Sequence, residues 1–128
     1  MRGILDKRVL IVDDKESIRK QLSDFFLFIG YEIILASNGK EALDILKDRS
    51  CSLLITDLNM PVMDGIELVL KIRNLGIPLP IIGMSFEDKK SEFLSAGTDY
   101  FLLKPFSLTH LKSILYSIFG EETPLTIY

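Results

Sequence analysis

Three carboxylates, a hydroxyl and an amine each close a short apolar run in this sequence. Asp13 and Asp14 follow Val9-Leu10-Ile11-Val12, and Asp57 follows Leu53-Leu54-Ile55-Thr56. Ser85 follows Ile81-Ile82-Gly83-Met84, and Lys104 follows Phe101-Leu102-Leu103. Runs of this length and β-branched content predict buried strands. If the strands lie parallel in one sheet, their C-terminal ends share the edge where open α/β sheets bind ligands. Carboxylates gathered there repel one another unless positive charge intervenes. A hard divalent cation such as Mg²⁺, which takes oxygen ligands, is one source, and Lys104 is a second. With the Ser85 hydroxyl as a donor, the set suits phosphoryl transfer, and Asp57 would be the nucleophile. Alone, each piece is ordinary: an Asp-Asp pair caps a turn, Lys-Pro is a loop, and a strand-end Ser is a capping residue. Their order at successive strand ends carries the signal.

The intervening segments must position these groups. Lys15 to Gly30 reads as a helix with Ile18, Leu22, Phe25 and Ile29 on one face. Tyr31 to Ala36 reads as a strand. Asn38-Gly39-Lys40-Glu41 opens a second helix, with Ala42, Ile45 and Leu46 inward. Pro61 and Gly65 punctuate the loop after Asp57, and Asp64 with Glu67 resembles a capped helix start. The helix from Gly65 to Leu75 carries Ile66, Leu68, Val69, Leu70 and Ile72 on more than one face, which predicts extensive burial. Glu87 to Ala96 reads as a weak, polar helix stopped by Gly97. Ser107 is placed to cap a last helix, on which Leu108, Leu111, Leu115 and Ile118 keep helical spacing. Strand–helix alternation of this kind predicts an α/β fold, a parallel sheet with helices on both faces.

The 128 residues suit one domain. Hydrophobic residues make up 48% and the mean hydropathy is +0.28, as expected of strands covered on both faces. A formal charge of −3 without a basic run gives no electrostatic source for nucleic-acid binding. The single cysteine, Cys51, excludes an internal disulfide and reads as a small residue beside a strand. Phe25 to Ala36 is too short to span a bilayer and no signal peptide is evident, so a soluble, cytoplasmic protein is expected.

Val9-Leu10-Ile11-Val12-Asp13-Asp14, Leu54-Ile55-Thr56-Asp57-Leu58-Asn59-Met60-Pro61, Met63-Asp64-Gly65, Pro80-Ile81-Ile82-Gly83-Met84-Ser85 and Leu103-Lys104-Pro105-Phe106 together resemble a response-regulator receiver domain. The resemblance covers nearly the whole chain. It implies a flavodoxin-like (βα)5 fold with strand order 2-1-3-4-5. Residues 1–120 would form the receiver and 121–128 a tail without an output domain. It also implies that Asp57 accepts a phosphoryl group from a histidine kinase or phosphotransfer protein. Asp14, Asp57 and the Asn59 backbone carbonyl would ligate Mg²⁺ or Mn²⁺, with Asp13 acting through water. Ser85 and Lys104 would hold the phosphoryl oxygens, and Lys104-Pro105 would be a cis peptide. Phe101 matches the family's switch aromatic, where Tyr is more usual; Tyr100, one residue off register, should face the other way.

Phe86 departs from the family pattern, which has a small residue after the switch hydroxyl. It is expected to narrow access to Asp57, or else to swing outward onto a partner surface. Asn59 and Glu87 occupy positions associated with rapid phosphate loss in chemotaxis-type receivers. His110, the only histidine, falls in the last helix away from the strand ends, and Met60 and Met63 read as loop packing. The expected function is a two-component switch that assists its own phosphorylation and autodephosphorylation without being an enzyme. It would act by binding a partner through the face made by the fourth helix, fifth strand and last helix, or by phosphorelay, as a monomer or a phosphorylation-dependent dimer. The alternative is a receiver from a larger DNA-binding regulator or hybrid kinase. A degenerate scaffold is disfavoured by the intact acidic residues, and a hydrolase by Asn59 where a second catalytic Asp is needed.

Overall fold

The computed structural model describes residues 7–120, so the expected tail and the leader-free start both lie outside the described residues. Among the described residues ten elements alternate: β1 (Arg8–Val12), α1 (Glu16–Phe28), β2 (Glu32–Ala36), α2 (Gly39–Asp48), β3 (Leu53–Asp57), α3 (Gly65–Asn74), β4 (Ile81–Ser85), α4 (Lys90–Ala96), β5 (Tyr100–Leu103) and α5 (Leu108–Phe119). All strand pairs are parallel and the order is β2-β1-β3-β4-β5, as the resemblance implies.

The period of two along each strand feeds two cores. Leu10, Val12, Leu54 and Ile81 face α2, α3 and α4, where Ala42, Leu46, Leu68, Val69, Ile72 and Phe93 meet them. Val9, Ile11, Leu53, Ile55, Ile82 and Met84 face α1 and α5, against Leu22, Phe25, Phe26, Leu111, Ile114 and Leu115. Both faces of β3 and β4 are therefore dry, which explains their unbroken apolar sequence. Three helices begin on side-chain caps: Asn38 accepts from the Glu41 N–H, Asp64 from Glu67, and Ser107 from His110. Among the described residues no helix is long and apolar enough to cross a membrane.

Several expectations need correction. The fourth helix starts at Lys90, not Glu87, because Glu87 and Lys90 give their N–H groups to Ser85 Oγ and Asp88 Oδ1 in turns. It is polar but not unanchored: Phe93 is fully buried on β4, beside Phe101. The third helix is less enclosed than its composition suggests, since Leu70 is exposed. Leu108 keeps helical spacing yet is also exposed, while Ile114 takes a core position. Cys51 is half-buried, and burial pushes its thiol pKa up, as befits an inert residue.

Candidate functional site

β1 and β3 are neighbours, yet the chain leaves β1 in one direction for β2 and enters β3 from the other side of the sheet. This is the point of reversal at which a crevice opens above the strand ends. Asp13 follows β1 and Asp57 ends β3, so the two carboxylates meet there. Asp13 is fully buried, Asp57 is 4% exposed, Ser85 1% and Lys104 6%. Asp14, next in the chain, is exposed. Carboxylate oxygens of Asp13, Asp14 and Asp57 lie within 4.8 Å of one another. The Asp-Asp pair is thus more than a solvated turn.

Lys104 arrives from the end of β5, its backbone N–H bonded to the Ser85 carbonyl. Its Nζ stands 2.9 Å from Asp57 Oδ1 and 3.2 Å from Asp13 Oδ2. Lys104-Pro105 is cis, as the resemblance implies. Asp13 Oδ1 also accepts the Lys15 N–H at 2.9 Å, which ties the acidic loop to the start of α1. Burial raises the pKa of Asp57 above the usual carboxylate value. The Lys104 hydrogen bond opposes that rise, and the Asp13 charge adds to it. A carboxylate held ionised at such a site gains from added positive charge. Three oxygen donors of this kind fit a hard divalent cation.

The loop after Asp57 is built from its own constraints. Val62 has φ 72°, and the Met63 N–H donates to the Pro61 carbonyl across it at 2.7 Å, making a γ-turn of positive φ. Met63 turns inward and is buried, and Met60 is half-buried, so both are packing residues as expected. Gly65 sits against the Asp57 carbonyl, where a Cβ would collide.

The remaining site candidates divide. Ser85 Oγ accepts the Glu87 N–H at 3.0 Å. Asn59 and Glu87 are exposed. Phe86 is 64% exposed, and its ring centroid lies 5.2 Å from Lys104 Nζ, so the side chain stays over the site. Phe101 faces Phe93 at 5.8 Å, while Tyr100 packs in the opposite core, as the register required. His110 is exposed on α5. Arg19 was not foreseen: its guanidinium donates to the Asp13 carbonyl at 2.7 Å. An arginine one turn into the helix after an acidic pair is the only sequence hint of that contact.

Comparison with known proteins agrees with this geometry. The chain is 36% identical over 120 residues to the response regulator MprA of Mycolicibacterium vanbaalenii, covering 91% of this chain and 52% of that protein. It is 35% identical over 124 residues to the sensor histidine kinase RcsC of Salmonella typhi, covering 94% of this chain and 13% of that one. The chain therefore spans about half the length, or less, of these curated relatives. Among solved structures, the response regulator protein TrrA of Thermotoga maritima, in complex with Mg²⁺-BeF, superposes with a TM-score of 0.81 at 33% identity, over 88% of this chain and 98% of that one. The family model for the response regulator receiver domain matches residues 9–116, and the chain belongs to that family of phosphoacceptor signalling domains.

Proposed function

We propose that this chain is a phosphorylation-dependent switch whose acceptor is Asp57. The observation that carries the reading is the Lys104 ammonium bridging the buried carboxylates of Asp57 and Asp13 at a strand-end crevice. Asp57 Oδ attacks the phosphorus of a phosphohistidine on a sensor kinase or phosphotransfer protein. The P–N bond breaks, its electron pair goes to the imidazole nitrogen, and an aspartyl phosphate forms. Asp14, Asp57 and the Asn59 carbonyl would hold Mg²⁺ or Mn²⁺, with Asp13 assisting through water. When bound, the ion neutralises charge on the transferring group. Lys104 offers a second positive group, and the Ser85 hydroxyl a donor to a phosphoryl oxygen.

The phosphoryl group carries about two negative charges in place of the carboxylate's one, and Lys104 and Ser85 would move to meet it. The output face in this reading is α4, β5 and α5, contacting a protein partner rather than nucleic acid. Incubation with acetyl phosphate and Mg²⁺ should add one phosphoryl mass. Labelling that persists in Asp57→Asn, or that ignores EDTA, would sink the reading.

A second reading is that the domain works inside a longer regulator or hybrid kinase. The greater length of the curated relatives favours it. The length of the native gene product, measured by intact mass from its own cells, decides between the two.

A further inference from the structure

We infer that the face of the Phe86 ring is a positioning element for Lys104, and through it for the phosphoryl group on Asp57. The inference rests on the reading of Asp57 as the phosphoacceptor. Three groups share the Lys104 ammonium: Asp57 at 2.9 Å, Asp13 at 3.2 Å, and the Phe86 ring at 5.2 Å to its centroid. Lys104 is only 6% exposed, so it has given up most of its hydration. The carboxylates replace part of that hydration, and the negative face of an aromatic ring replaces more.

Phe86 itself is 64% exposed. The apolar core therefore does not hold the ring in place. What places it is the turn at its own backbone, where Ser85 Oγ accepts the Glu87 N–H at 3.0 Å, together with the cation beneath it. Phosphorylation converts the Asp57 carboxylate to an acyl phosphate, so in this reading the ion pair from Lys104 to that carboxylate is remade onto a phosphoryl oxygen. Contacts with Asp13 and Phe86 are the ones that this step does not consume. Asp13 is committed to the acidic cluster and to the Lys15 N–H. Phe86 has no such competing role, and its contact with Lys104 carries no formal charge. It can hold the ammonium near the reacting atoms without drawing it away from the phosphoryl oxygens.

Leucine separates this role from bulk: it shields the site but has no quadrupolar face. The first measurement is the NMR chemical shift of the Lys104 ε-methylene protons, which a ring face moves upfield. Wild type and Phe86→Tyr should show the shift and Phe86→Leu should lose it. This readout requires no phosphorylation. The second is the rate of phosphorylation by phosphoramidate with Mg²⁺, followed by intact mass. Phe86→Leu should be slower by about two- to five-fold, the range of an exposed cation–π contact, and Phe86→Tyr should retain the rate. In a Lys104→Met background the ratio of the two rates, with and without Phe86→Leu, should collapse to one.

Equal slowing in both backgrounds would assign the effect to bulk and overturn the inference. So would a Phe86→Leu rate equal to wild type, or a wild type without the upfield shift. Failure of wild type to accept phosphate on Asp57 at all is a separate result, and it would instead remove the acceptor reading.

Discussion

The Asp57 carbonyl oxygen lies 2.1 Å from the point where a Cβ on Gly65 would stand, well inside contact distance. The Gly65 N–H donates to the Leu58 carbonyl at 2.9 Å, so the start of α3 is drawn directly onto the end of β3. Any side chain at 65 must push the helix off the strand end that carries Asp57, the proposed acceptor. Gly65→Ala should cost about 2 kcal/mol, the scale of an overpacked core. It should also slow acetyl phosphate labelling more than the lost folded fraction explains. Urea melts and labelling rates test this together. A variant with wild-type stability and rate would show that the helix start yields freely.

Asp57 should weaken the fold at neutral pH. Its folded pKa is raised above the ordinary 3.8, through burial first. The folded state then binds more protons than the unfolded state between the two values. The stabilising contribution of protonated Asp57 is present below the unfolded pKa and is lost as pH rises through the folded one. In EDTA at pH 7, Asp57→Asn should therefore be more stable than wild type, by on the order of 1 kcal/mol. The advantage should shrink as pH falls toward 4, despite the loss of one Lys104 partner. Mg²⁺ should stabilise wild type by mass action and Asp57→Asn much less. Denaturant melts at the two pH values decide, and an Asn variant weaker at pH 7 counts against the argument.

Val62 stores backbone strain beneath an exposed side chain. It is β-branched, 76% exposed, and held at φ 72° within the γ-turn closed by Met63 and Pro61. A side chain there costs roughly 1–3 kcal/mol, which glycine avoids at a smaller cost in unfolded-state entropy. Val62→Gly should gain about 1 kcal/mol, or a few degrees in Tm. A fall in Tm would mean that the Val62 side chain makes a contact outweighing the strain.

Much of this architecture was legible in the chain, because strand faces buried on both sides leave unbroken runs such as Leu53 to Ile55 and Ile81-Ile82. The convergence of Asp13, Asp57 and Lys104 followed from parallel strands sharing an edge. Less legible were features set by partners distant in sequence. Leu70 and Leu108 look like core residues, and only their place on the finished helices exposes them. Nothing in the local pattern marks Arg73 of the third helix, which donates to the carbonyls of Gly97 and Ile77 and pairs with Asp99, a clamp reaching residues 24 and 26 positions away. The start of α4 is hard to read because Glu87 and Asp88 suit a first helical turn, while the Ser85 and Asp88 side chains capture the N–H groups for turns.

The fourth helix is the element whose behaviour the acceptor reading constrains most. It has seven residues, and Phe93 is its one fully buried side chain. That ring lies against Gly83, where an added Cβ would come within 2.5 Å of it, and it faces Phe101 at 5.8 Å. Gly83 is thus the hole, two residues before Ser85 on β4, into which α4 inserts its anchor. A movement of Ser85 toward a phosphoryl group would pull on the same strand, so α4 should respond through Phe93. Amide exchange should change in α4, β5 and α5 when beryllofluoride and Mg²⁺ are added. Gly83→Ala should crowd Phe93, cost about 1–3 kcal/mol, and raise α4 exchange before any ligand is present. Changes with beryllofluoride confined to α1 and α2 would defeat the expectation, as would α4 exchange in Gly83→Ala that matches wild type.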